Sequence, residues 1–334
     1  MRQRGVALLM TLVFLPAFAA GLAWLASGTQ LMARFEGHTQ ADRVAYSVGA
    51  QLASELNELS VLNRKILASH LMVGHLTTYL SFTRYLKQVV DGVSSIVPFA
   101  NQIIAGGTTL LVTSAELQLK GGIGVALASQ HKWAFDSADI IIKAGTRTLA
   151  VAESIAPPWS VQSVCIASLC GRAALDALML AANPVMEANP ANYTRLTMQA
   201  LSGLPQANWH VSRRWQQNVL GILQARRLGS TRSDFTGRGF VADESLQARV
   251  KLFFFGTGWR TIASGSASTV LDGFVYRGLP WLVEWQGPEV APLVVTLSHP
   301  DGGTLEASSR VRFLGAGDTD LWRPVWRSEL TGGV

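Results

Sequence analysis

The sequence predicts an α+β chain: an N-terminal transmembrane helix continuing into a long helical stalk, a helical hairpin region, and a small C-terminal antiparallel β domain. Three observations carry this expectation. No charged residue falls between Arg4 and Arg34. No proline falls between Pro16 and Pro98, and apolar residues recur there in steps of three and four. From about Phe240 the pattern changes to short runs divided by Gly, Pro and Asp turns. Charged residues are only 15% of the 334, against about 25% in ordinary soluble domains. That deficit excludes a disordered, highly solvated chain. The expected segments are 1–27 (anchor), 28–155 (stalk and returning helix), 156–230 (helical linker region with the cysteine pair and a basic helix) and 231–334 (β-rich domain).

Residues 6–25 form an uncharged, mostly apolar run that follows Arg2 and Arg4. Twenty residues at about 1.5 Å each match a bilayer core of about 30 Å. Val6, Leu9, Leu12, Phe14, Pro16, Leu22 and Leu25 are the expected anchor residues. Arginines just before the run place the N-terminus in the cytoplasm and the bulk outside. Three readings of this start are open: a retained anchor, a secretory signal cut after Ala17-Phe18-Ala19, and a prepilin-type leader ending at Gly5. The last would put Met10, not a glutamate, at the fifth mature position.

Beyond the span, Ala45, Val48, Leu52, Leu56, Leu59, Leu62, Ile66, Val73, Leu76 and Leu80 make one apolar stripe. Leu52, Leu56, Leu59, Ile66, Val73 and Leu80 are its expected packing residues, with Arg43, Glu55, Glu58, Lys65, Arg84 and Lys87 on the opposite face. Gly28, Gly37, Gly49 and Gly74 are expected weak points of that helix. Residues 96–124, with Pro98 and two Gly-Gly pairs, read as a loop region holding a short helix near 109–119. Helices are expected at 125–154, 161–182 and 213–227, and strands at 249–255, 268–276, 281–285, 293–297 and 310–313. Trp259, Trp281, Trp285, Trp322 and Trp326 either close a β core or form a sugar- or surface-binding face.

The net charge of +6 is local. Arg213, Arg214, Arg226, Arg227, Arg232, Arg238, Arg249, Lys251 and Arg260 stand in one window with only Asp234, Asp243 and Glu244. This is either a solvated face or an electrostatic patch for an acidic subunit, surface or polysaccharide. Nucleic acid is not the expected partner, since no DNA-binding motif is found. Cys165 and Cys170 are a candidate disulfide, which on a five-residue spacing requires a break or turn between them. His70 and His75 do not share a helix face, and no metal or cofactor is expected. Asp272, Glu284, Glu289, Asp301 and Glu306 lack the spacing of a catalytic carboxylate pair, so no enzyme is expected.

A resemblance adds to these readings. Gln3-Arg4-Gly5-Val6-Ala7-Leu8-Leu9 and the proline-containing span resemble the N-terminal anchor of TadE/TadG-like proteins of Tad (Flp-type) pilus systems. The segments 40–47, 56–64, 70–75 and 126–130 are similar to helices of the same family, although Asp42-Arg43-Val44 stands where alanines are more usual. The likeness covers roughly the first 155 residues. It implies a non-catalytic inner-membrane or pilus-tip subunit acting in pilus assembly and adhesion. Its partners would be other pilin-like subunits and the lipid bilayer, with the bulk of the chain periplasmic or extracellular. The same start also resembles the large minor pseudopilin of type II secretion. A membrane-anchored carbohydrate-binding protein or enzyme is the remaining alternative.

Overall fold

The computed structural model describes residues 2–94, 101–185, 211–219, 222–234, 239–252, 255–274, 282–299, 302–315 and 321–331. The chain is a mixture of long helices and antiparallel sheets. Helix α1 (Arg2–Ser94) is a single helix of 93 residues with Pro16 inside it, about 140 Å long at 1.5 Å per residue. Helix α2 (Asn101–Ile155) returns beside it. The direction is antiparallel, because Arg84 meets Glu116, Ser69 meets Ala126, Glu55 meets Arg147 and Gln40 meets Ile155. Residues 101–124 are therefore helix, and the two Gly-Gly pairs lie inside it. Gly122 sits against Leu76 of α1, so a small residue is used where the two helices approach.

The strands β1 (Ser160–Ile166), β2 (Leu169–Cys170), β3 (Ala182–Val185), β4 (Val211–Val219), β5 (Leu223–Asp234), β6 (Gly239–Leu252), β7 (Phe255–Gly256), β8 (Arg260–Ser268), β9 (Leu282–Trp285), β10 (Val290–Ser298), β11 (Thr304–Phe313) and β12 (Trp326–Leu330) follow, with helix α3 (Arg172–Leu180) after β2. One sheet has the order β12-β11-β10-β1-β2, a second pairs β3 with β9, and a third runs β4-β5-β6 with β7 and β8 both pairing β6. Three sequence expectations are corrected here. The helix expected at 161–182 is the hairpin β1–β2 followed by the short α3. The basic helix expected at 213–227 is the hairpin β4–β5. The strand expected at 268–276 is also displaced, since β8 ends at Ser268 and a turn follows.

Helix α1 is the common spine of these parts. Its expected stripe is buried: Ala45, Val48, Leu52, Leu56, Leu59, Ile66, Val73 and Leu80 are all at 0% exposure. The first sheet packs on the lower half of this stripe and shares a core with α2, including Val295, Leu297, Val311 and Trp326. The third sheet packs on the upper half, where Phe240 and Ala267 join Val73, Leu80, Ile123 and Leu127. The glycines of α1 do not break it. A Cβ at Gly37 would collide with Leu305 and Trp159, at Gly49 with Ser328, and at Gly74 with Phe240. They are the points where sheet side chains press against the helix backbone. Glu55, expected on the outer face, is 3% exposed because α2 covers it. It accepts from Gln51 and pairs with Arg147 at 3.3 Å.

Candidate functional site

Two surfaces stand apart from this core. The first is the lower end of α1. From Pro16 to Glu36 every residue whose side chain is described is exposed, including Phe18, Leu22, Trp24, Leu25, Leu31, Met32 and Phe35. The body begins at Gly37, the first buried residue. Of the expected anchor residues, Pro16, Leu22 and Leu25 lie on this bare stretch. The side chains of Val6, Leu9, Leu12 and Phe14 lie outside the described residues, and Gly5 is within α1. Among the residues searched, one helix is long and apolar enough to cross a membrane, Thr109–Ile155. That segment carries Lys132, Asp136, Asp139, Lys143 and Arg147 and buries Ile123, Ala126, Ala134, Ile140 and Ala144 within the body. One face of it packs on the body, yet only 11% of its apolar window is buried, and Leu110, Leu111, Leu117 and Val125 are exposed.

The second surface is the outer side of the third sheet. Alternation along a strand divides its side chains between two faces. Glu244 faces α1 and is 2% exposed. Arg213 and Arg227 face the same way and hold it at 2.6 and 3.1 Å. Arg227 also lies over the rings of Phe82 and Tyr85 on α1. Two of the expected patch arginines are thus internal ties between sheet and spine. Burial raises the Tyr85 hydroxyl pKa, with Arg227 opposing and Glu244 assisting. Arg214, Arg226 and Arg232 alternate to the outer face, where the register places Arg226 opposite Gln247 and Gln224 opposite Arg249. Arg238 lies outside the described residues.

On that outer face Arg226 and Arg249 both stack on Trp259, their guanidinium carbons 4.1 and 4.6 Å from the ring centroid. Arg226 Nε donates to Gln247 Oε1 at 2.8 Å, and Arg249 Nε donates to Gln224 Oε1 at 2.6 Å. Both arginines stand out in the sequence, but their stack does not, because Trp259 comes beside them only through the β6–β8 pairing. Trp285, Trp322 and Trp326 are buried, so these tryptophans serve the core. Trp281 lies outside the described residues.

The remaining candidates are structural ties or separate positions. Asp272 and Glu116 share Arg84, which joins α1, α2 and the turn after β8. Burial opposes the Arg84 charge, but hydrogen bonds to Asp272 and Glu116 outweigh it and raise its pKa. For Glu116, burial favours the neutral acid, while Arg84 and Lys120 together hold its pKa below the ordinary value. Glu284 is on β9, Glu289 precedes β10 and Glu306 is on β11, while Asp301 is outside the described residues. Among the described residues no group of three or more His, Cys, Asp or Glu could hold a metal ion. Cys165 and Cys170 form a disulfide across directly paired positions of β1 and β2. The required turn between them contains Ala167 at φ 52°. His70 is fully buried against Phe240, and desolvation lowers its pKa to about 3. Compared with protein-family models, curated proteins and solved structures, the chain matches none.

Proposed function

We propose that this chain is a non-catalytic, single-span subunit of a Tad (Flp-type) pilus-assembly machine, with its N-terminus cytoplasmic and its body periplasmic or extracellular. The observation that carries the proposal is the bare lower end of α1. Phe18, Leu22, Trp24, Leu25, Leu31, Met32 and Phe35 are exposed on a helix that is continuous with the uncharged run 6–25. Burying each such side chain is worth about 1.5–3 kcal/mol. Leaving all of them in water would be costly, and a bilayer or neighbouring apolar helices would remove that cost. Small residues such as Ala17, Ala19, Ala20 and Gly21 suit close helix packing there. The Cys165–Cys170 bridge fits an oxidising compartment for the body. The pilus assignment itself rests on the N-terminal resemblance.

N-terminal mass analysis of the protein from membranes and from sheared surface fibres tests the reading. A start at Met1 in membranes fits an anchored assembly subunit, and a start at Val6 in fibres fits a processed pilin-like subunit. A start at Ala20 in a soluble fraction would overturn it.

A further inference from the structure

We propose that the outer face of β5 and β6 binds a carboxylate-bearing polysaccharide. Arg226 and Arg249 would grip its acid groups, and the adjoining concavity would take the neighbouring sugar hydroxyls. This does not rest on the pilus assignment.

The arginines are pre-positioned for such a partner. Stacking on Trp259 fixes the plane of each guanidinium, and the bonds from Nε to Gln247 and Gln224 fix its rotation. Neither arginine has a carboxylate partner within the described residues, so each keeps its charge and its remaining N–H donors for an external acid. A planar fork of this kind matches a carboxylate in two parallel hydrogen bonds. Exposed Arg214, Arg232 and Lys251 extend the positive field along the same sheet face.

The class of polymer is set by what lies beside the stack. An open concavity of about 410 Å³ has Leu228, Ser230, Asp243, Ser245, Ser264 and Ser266 among its lining residues, together with Glu244, which Arg213 and Arg227 already neutralise. Its hydroxyls donate or accept as needed, and Asp243, which has no ion-pair partner among the described residues, can only accept. Sugar hydroxyls would donate to it, whereas a continuous polyphosphate would be repelled by it. The Trp259 ring is occupied by guanidinium groups and gives little free surface for a stacked base. Leu228 is half-buried, so this concavity has no exposed large apolar side chain to enter a bilayer. Charge and chemistry together favour an acidic polysaccharide over nucleic acid or lipid.

The test uses the full chain in nanodiscs of neutral lipid, with binding measured to polygalacturonate, its methyl ester, short duplex DNA and phosphatidylglycerol vesicles at one ionic strength. Polygalacturonate should bind more tightly than the other three. Arg226→Gln and Arg249→Gln should each weaken it by about tenfold, with the circular dichroism spectrum unchanged. Arg310→Gln, at an arginine paired with Glu329 on the first sheet, should leave it unchanged. Asp243→Asn separates the classes, since it should weaken polygalacturonate binding, whereas at a generic polyanion site it would strengthen binding. Equal or tighter binding of DNA or vesicles, indifference to both arginine variants, or tighter polygalacturonate binding by Asp243→Asn would each overturn the proposal.

Discussion

Single side chains on α1 hold the sheets in register. Asn63 Oδ1 accepts from the Val283 N–H, and its Nδ2 donates to the carbonyls of Val283 and Leu321. Asn57 grips Trp326 in the same way, bonding to both its N–H and its C=O. Each amide thus substitutes for a neighbouring strand at a sheet residue. Asn63→Leu would leave those buried backbone groups unpaired, at about 1–3 kcal/mol each, and thermal unfolding should show a clear loss of stability. Gly265 is a second such point, because a Cβ there would collide with the Ser81 carbonyl and the Tyr85 amide. Gly265→Ala should cost about 1–3 kcal/mol, the range of core overpacking.

His70 adds a pH dependence at the same scale. Its folded pKa is about 3 because burial penalises the charged ring, while the unfolded value is near 6.5. Between those values the unfolded chain binds a proton that the folded chain excludes. Stability from this site is complete above about pH 6.5 and falls on acidification, by up to about 1.4 kcal/mol per pH unit. Unfolding midpoints measured between pH 7 and pH 4 should fall, and His70→Phe should flatten that slope.

At the scale of elements, α1 was the most legible part. Its stripe recurs at helical spacing, and burial follows that spacing from Ala41 to Leu80. Leu56→Ala should cost about 2–5 kcal/mol, against little change for the exposed Glu58→Ala, as read from unfolding curves. The hairpin β4–β5 was not legible. Arg213-Arg214-Trp215-Gln216-Gln217 shows no apolar alternation, because its inner face uses arginine against buried Glu244 and its outer face meets solvent. The roles of Gly37, Gly49, Gly74 and Gly122 were not legible for a related reason. Sequence shows that glycine weakens a helix, but not that a sheet or a second helix presses on that position. The cysteine spacing demanded a turn, and the β1–β2 hairpin supplies one. Closing so short a loop restricts the unfolded chain by about 2 kcal/mol in the chain-entropy view, so Cys165→Ala with Cys170→Ala should lower the unfolding midpoint accordingly.

At the scale of the whole molecule, one helix arranges everything along a line. The bare segment ends at Glu36, the first sheet follows, and the third sheet packs near Gly74 to Gln88. From Leu25 to Gly74 the helix rises about 70 Å, so the Arg226–Trp259–Arg249 stack sits far from the proposed membrane end. The apolar run and the concentrated charge were both visible in the sequence; their opposite placement was not, because it depends on which part of α1 each sheet packs against. The most direct measurement of the anchored-spine reading is thiol labelling in intact spheroplasts with a membrane-impermeant maleimide, since the native cysteines are bonded to each other and silent. Glu58→Cys should label readily and Leu22→Cys should stay unlabelled until detergent is added. Equal labelling of both positions before detergent would contradict a bilayer- or helix-embedded lower end of α1.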